Sequence, residues 1–176
     1  LTDECQRIGL NVMGPDINTS RNGFAVNHQG NIVYGLGAIS GVGKAAVEEI
    51  VKEKDTNGEY KDIIDFVSRI DSRSVTKANI EALAATGAFD NFKDIHRAQI
   101  LSINPQTGSS YADSLVKHGA DIKRIKNTVQ LSLFGEAQEQ ELIEFQFPEV
   151  EELTLYQKLK LEKKYLGMYV SGHPRE

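Results

Sequence analysis

Cysteine is nearly absent from this chain. Cys5 is the only one in 176 residues, so no internal disulfide framework and no cysteine-based metal cluster can form, a usage that suits a reducing cytoplasm. No apolar run approaches the length needed to span a bilayer, and no basic-then-apolar leader opens the sequence, so membrane insertion and secretion find no support. An excess of positive charge is also missing: the formal net charge is −5, which taken whole argues against a dedicated nucleic-acid binder.

Recognisable catalytic machinery is missing too. There is no glycine-rich loop ending in Gly-Lys-Ser/Thr, and no Ser/His/Asp set stands out. Chemistry on phosphates needs two or three carboxylates gathered around metal ions. The pairs on offer, Asp62 with Asp65 and Asp90 with Asp94, fall on solvated helix faces or caps. His96, His118 and His173 lack cysteine or histidine partners at ligand spacing, and His28 sits in a turn sequence, so all four histidines read as structural. No metal site is expected.

What is present begins with enough apolar residues, 40% of the chain, for a real core in one domain or two small ones. Charge is unevenly spread. Glu136, Glu139, Glu141, Glu144, Glu149, Glu151 and Glu152 crowd one segment, while Lys117, Lys123, Arg124 and Lys126 cluster just before it. A first residue other than Met, and a last one just after Gly172-His173-Pro174, suggest a piece of a longer protein.

The most informative stretch runs from Tyr34 to Val51. Gly35-Leu36-Gly37-Ala38-Ile39 leads into Ser40-Gly41-Val42-Gly43, and a helix follows with Ala46, Val47, Ile50 and Val51 at helical spacing and Lys44, Glu48, Glu49, Lys52 and Glu53 outward. Gly41 and Gly43 are expected to allow positive φ and the close approach of another backbone. The N–H groups of Gly41, Val42, Gly43 and Lys44 would then point at a phosphate oxygen where the helix dipole is positive, with the Lys44 cation beside them. The pattern looks like a helix-hairpin-helix, which grips the sugar-phosphate backbone without reading bases. A plain glycine turn between two core helices is the alternative.

Around this stretch the chain divides coarsely. Residues 2–8 read as a helix end closed by Gly9, residues 10–13 as extended, and Phe24-Ala25-Val26 with Ile32-Val33-Tyr34 as a hairpin about residues 27–31. A helical pattern over residues 60–70, a link at Asp71-Ser72-Arg73-Ser74 and a second helix over residues 76–86 ended by Gly87 make a second helix-hairpin-helix. It lacks the paired glycines; its contacts with DNA, if made, would be Arg73, Ser74, Thr76 and Lys77. A short helix over 93–102, a break at 104–108, a helix over 109–126, an acidic irregular strap to Glu152, and a terminal helix capped by Thr154 with Gln157 and stopped by Gly167 complete the reading. Tyr169-Val170 then looks like the start of a strand.

Gln130-Leu131-Ser132-Leu133-Phe134 lies between the basic helix and the acidic strap. Such a peptide can seat Leu133 and Phe134 in an apolar groove while the Gln130 amide bonds at its rim. Two buried side chains at roughly 1.5–3 kcal/mol each, less ordering costs, give binding on the order of micromolar. Tethering to DNA would raise it greatly. A short core strand or buried loop is the alternative.

Five ordered motifs carry a resemblance over nearly the whole chain: Gly9-Leu10-Asn11-Val12 with Pro15-Asp16-Ile17-Asn18; residues 34–39 with Gly41-Val42-Gly43; Gly87-Ala88-Phe89-Asp90 with His96-Arg97; residues 130–135; and residues 162–174. Together they resemble the C family of bacterial replicases, the α (catalytic) subunits of DNA polymerase III. The resemblance implies the segment after the palm and most of the fingers: a mainly α fold with a small N-terminal β element. Its expected parts are the end of a fingers-type β element (1–35), a tandem helix-hairpin-helix domain of the SAM/HhH-like class (36–104), a helical connector with a clamp-binding motif (105–135), and an acidic strap and terminal helix (136–176) leading to an oligonucleotide-binding fold.

The resemblance also implies partners: duplex DNA at Ser40, Gly41, Val42, Gly43 and Lys44, the β sliding clamp at Gln130, Leu131, Ser132, Leu133 and Phe134, and other domains of the parent polymerase, in the cytoplasm. No cofactor is implied for this segment. Mg2+ belongs to the parent active site, whose aspartates lie in the palm, and a monovalent cation on the hairpin carbonyls is left open. One departure is the break over residues 104–110, where relatives are more continuously helical. Rival readings are a repair or recombination module with tandem hairpins, and a scaffold whose hairpins only pack.

Overall fold

The computed structural model describes residues 12–26, 30–93, 95–131, 145–168 and 170. In chain order these form β1 (Val12–Met13), β2 (Ala25–Val26), β3 (Ile32–Val33), a 3-10 turn (Leu36–Ala38), and six helices: α1 (Lys44–Asn57), α2 (Ile63–Arg69), α3 (Lys77–Ala85), α4 (Arg97–Leu101), α5 (Tyr111–Leu131) and α6 (Leu155–Leu166). The helix end expected over 2–8, the hairpin tip with His28, Asp94, the segment 132–144, Tyr169 and the residues after Val170 lie outside the described residues.

The expected hairpin is present as β2 antiparallel to β3, with Ala25 opposite Val33 and Val26 opposite Ile32. The extended run at Val12-Met13 adds a third strand, parallel to β3. Two-residue strands have little stability of their own. Side chains from the loop between β1 and β2 hold the sheet in place. Ser20 Oγ donates to the Tyr34 carbonyl at 2.8 Å and receives the Asp16 N–H at 2.9 Å. The Asn18 side chain exchanges two bonds with the Tyr60 backbone, and Ile17, 1% exposed, fills the core below.

The helices start and stop where side chains can satisfy their end groups. Asp62 caps α2 by accepting the Asp65 N–H at 2.7 Å. Thr154 and Gln157 form the expected reciprocal box on α6, and Gly167 ends it in the left-handed region at φ 77°. Two helices differ from their expected spans. α4 begins only at Arg97, because Gln99 holds the extended N-cap His96 at its N–H, 3.0 Å away. Turns before it stack Phe92 on Phe89, with ring centroids 6.0 Å apart. α5 in turn continues to Leu131, since neither Gly nor Pro falls between its expected end at Lys126 and Leu131.

One hydrophobic core joins residues from the β element, all three central helices and α6, crossing the boundaries expected at residues 35 and 104. Phe66 is at its centre, 4.9 Å from the Tyr60 ring and 5.3 Å from that of Phe89. α5 adds Ala112 and Leu115 to this core and meets α2 through a close backbone approach. A Cβ placed on Gly119 would lie 2.1 Å from the Val67 carbonyl oxygen of α2.

Two predictions follow from these packing facts. Gly119→Ala is expected to lower stability by about 1–3 kcal/mol in urea unfolding, although alanine favours a helix by about 1 kcal/mol, because backbone cannot yield as a side-chain end can. An unchanged or raised midpoint would contradict the close approach.

The second concerns Asp16, which accepts the N–H groups of Asn18 and Thr19 and the side-chain amide of Asn91. Burial pushes its carboxyl above the ordinary range despite those amides. The folded state therefore holds that proton more tightly, so the group's contribution is full at low pH and is lost as pH rises through its raised pKa. The stability of Asp16→Asn relative to wild type should rise as pH increases above about 4, measured by denaturation across pH. A difference that is flat with pH, or that falls, would contradict this sign.

Candidate nucleic-acid interface

The turn before α1 is built from three inward bonds. Ile39 N–H donates to the Leu36 carbonyl at 3.2 Å, Val42 N–H to that of Ile39 at 3.2 Å, and Ser40 N–H to the Tyr165 carbonyl at 2.8 Å. Only the first of the two glycines takes positive φ. Gly41 is at φ 90°, with the Ala82 and Tyr165 side chains close to where a Cβ would stand. Gly43 is instead the extended N-cap of α1, at φ −75°, and a Cβ there would meet nothing within 4 Å. Among the described residues its lack of a side chain serves neither the local backbone nor packing.

This arrangement changes the donor set. Val42 is buried with its amide spent inside the turn, and the Ser40 amide is spent on α6, so neither N–H is available to a phosphate. The N–H groups of Gly41, Gly43, Lys44 and Ala45, all at exposed residues, donate to no other described residue. They sit at the positive end of a 14-residue helix. The Lys44 side chain, 85% exposed and 3.9 Å from Glu48, adds a mobile cation. A 3-10 turn rather than a full helix precedes this hairpin.

Side chains overlooked in the sequence hold the turn. Asn79, at the start of α3, donates its side-chain amide to the Gly41 carbonyl at 2.8 Å, tying the two hairpins together. Tyr34 Oη donates to the Leu166 carbonyl at 2.7 Å. Beneath them Arg97, 4% exposed, bonds Asp90, the Ala85 carbonyl and Glu162 Oε2, the last at 3.4 Å. Glu162 is fully buried, and its other oxygen accepts the Val170 N–H at 3.0 Å. Burial opposes the charge on Arg97, but Asp90 and Glu162 outweigh it, and its pKa rises. A Glu on an amphipathic helix four residues before its end gives no sign of burial in sequence alone; its partner Arg97 lies 65 residues away.

The second hairpin has the expected pair of helices, α2 and α3, but different chemistry. Arg73 is 91% exposed at its side chain and lies 3.5 Å from Asp71, whose carboxyl is held below its usual range by the Arg73 N–H and guanidinium. Ser74 spends its amide on the Asp71 carbonyl. Thr76 is exposed at the N-cap of α3, with its N–H held by Asn79, and Lys77 is half-buried. The turn therefore offers cations more than amides.

The carboxylates weighed as catalytic have structural partners. Asp62 caps α2, Asp65 pairs with Arg69 at 3.1 Å, and Asp90 pairs with Arg97 at 2.8 Å. Among the described residues, no group of three or more His, Cys, Asp or Glu side chains could hold a metal ion, and no helix is long and apolar enough to cross a membrane. Of the pentapeptide, Gln130 and Leu131 belong to the last turn of α5, and Ser132, Leu133 and Phe134 lie outside the described residues.

Comparison with known proteins gives this geometry a context. A family model described as a helix-hairpin-helix motif matches residues 9–100. Over 99% of its length the chain is 38% identical to DNA polymerase III subunit alpha of Haemophilus influenzae and 34% identical to that of Escherichia coli. It is 33% identical to the same subunit of Treponema pallidum over 97% of its length. The chain spans about 14% of the length of each of these relatives.

The support beneath the hairpin can be tested directly. Glu162→Ala is expected to cost about 3 kcal/mol, toward the low end for a broken buried pair because Asp90 still accompanies Arg97. Chemical denaturation should also show Arg97→Ala and Glu162→Ala to be strongly non-additive. Additive losses in the double variant would contradict a shared cluster.

Proposed function

Because this chain belongs to the helix-hairpin-helix family, we propose that it is the duplex-holding, clamp-binding segment of a bacterial replicative DNA polymerase, the α subunit of DNA polymerase III. The observation that carries the first half is the row of outward amides at Gly41, Gly43, Lys44 and Ala45, around a Gly43 that no described residue crowds. Phosphate oxygens of the duplex accept from these amides, and Lys44 supplies charge without base preference. Arg73, Thr76 and Lys77 of the second hairpin add cations and a hydroxyl along the same backbone. The backbone amides of Ser40 and Val42 shape the turn rather than donate to phosphate.

The second half rests on the pentapeptide and on the relatives. Leu133 and Phe134 anchor in an apolar groove of the β sliding clamp, with Gln130 at its rim. The chain runs from the hairpins through α5 to this peptide, so one chain binds both DNA and the ring around it. Each weak contact strengthens the other through effective concentration, which is the basis of processive synthesis. The parent chain is a DNA-directed DNA polymerase of the cytoplasm. Its nucleotidyl transfer and Mg2+ belong to other domains, and this segment positions the product duplex. A monovalent cation on the hairpin would compete with Asn79, which already holds the Gly41 carbonyl.

Gly43→Asp separates grip from fold. Asp is a good N-cap and there is room for it, so stability should be unchanged or a few tenths of a kcal/mol higher. Its carboxylate would stand where a phosphate oxygen is to bind. Duplex affinity at low salt should fall about tenfold or more, the cost of lost charge-assisted hydrogen bonds plus repulsion. Unchanged affinity would sink the backbone-grip reading. Leu133→Ala/Phe134→Ala should abolish clamp capture and leave duplex affinity intact, and clamp capture equal to wild type would sink the second half.

A further inference from the structure

α5 and the second hairpin together line a groove formed by Ile70, Ser72, Arg73, Lys123, Arg124 and Asn127. Asn127 lies one turn beyond both Lys123 and Arg124, at i+4 and i+3, so it is a surface neighbour of each. Lys123 Nζ donates to the Ile70 carbonyl at 3.0 Å, which fixes the ammonium at the mouth of the hairpin. Arg73 and Arg124 reach out from the two sides, 91% and 75% exposed at their side chains. Two carboxylates are near: Asp71 beside Arg73, and Asp121 3.2 Å from Arg124. Among the described residues three cations, of which Lys123 is held by the Ile70 carbonyl, stand against two carboxylates in a chain of net charge −5. Its contact with α2 is rigid, because Gly119 brings α5 against the α2 backbone one turn earlier.

We propose that this groove seats a phosphate of the DNA backbone, with Lys123 and Arg124 of α5 as contacts beside Arg73. The inference rests on the duplex-holding role proposed above and extends the grip from the hairpins onto α5. The donor set supports a phosphate over a protein partner: guanidinium, ammonium and amide groups converge, and no exposed large apolar side chain lines the groove to serve as an anchor. It also supports backbone over bases, since guanidinium and ammonium groups pair with phosphate oxygens whatever the sequence.

The consequence is mechanical. A phosphate held between the second hairpin and α5 would fix the later half of the helix that includes Gln130, so the duplex contact and the first residue of the clamp peptide would share one element.

The test is binding of a short labelled duplex, followed by anisotropy across a salt series, by wild type, Lys123→Gln/Arg124→Gln and Gly43→Asp. Each phosphate contact contributes about 0.9 to the slope of log affinity against log salt. The double variant is expected to bind about three- to tenfold more weakly at low salt, with a slope reduced by about 1–2. Arg124→Gln alone, at a side chain that is mostly exposed, should lower the slope with no change in thermal unfolding, and the charge-keeping Arg124→Lys should leave the slope as in wild type.

If Gly43→Asp loses binding while Lys123→Gln/Arg124→Gln keeps both affinity and slope, the groove proposal is overturned and the hairpin grip stands. If neither variant weakens binding, both fall. A groove that shows only shifts with inorganic phosphate, without a change in duplex slope, would be a free-anion site and would likewise overturn the proposal.

Discussion

The hydrogen bond from Ser40 N–H to the Tyr165 carbonyl is the constraint on which the rest of the interface depends. It joins the first hairpin to the last turn of α6, more than a hundred residues further along the chain. Tyr34 Oη makes a parallel bond to the next carbonyl, that of Leu166. α6 is in turn locked by Glu162, fully buried against Arg97. A hairpin turn has little to hold it rigid by itself. Here its shape is imposed from below by a helix end and from the side by Asn79. The amides that face outward therefore do so in a fixed arrangement, and binding a phosphate need not pay again for ordering them.

The same support explains why the two hairpins differ. The first is held by carbonyl and amide bonds that consume its inward groups, leaving the row from Gly41 to Ala45 open on the outside. The second is closed by Asp71 upon its own backbone, and its outward chemistry is carried on Arg73 and on the α5 cations beside it. One turn offers dipoles and the other charge. Together they suit a polyanion held without regard to sequence.

Much of this was legible from the residues. The glycine turn feeding a helix, the paired helices of the second hairpin, the Thr154–Gln157 box and the Gly167 stop each follow from local chemistry, and each is present. What failed did so where distant partners decide. Gly43 and Gly41 look alike in sequence, but only Gly41 takes positive φ, because φ depends on how the turn closes onto Tyr165. Val42 looked like a donor until its amide turned inward. Arg97 and Glu162 sit in motifs that carry the family resemblance, yet neither announces a buried ion pair, since helix periodicity places Glu162 no differently from a solvated glutamate. The short α4 was over-extended because the aromatic turns at Phe89 and Phe92 answer to the core rather than to helix propensity.

The central claim is that the outward amides of the first hairpin hold backbone phosphate. Backbone amide resonances followed by NMR during titration with duplex DNA test it most directly. The account predicts the largest shifts at Gly41, Gly43, Lys44 and Ala45, smaller ones at the internally bonded Ser40 and Val42, and loss of all of them as salt rises. Saturable shifts confined to other surfaces, with the hairpin amides unmoved, would contradict it.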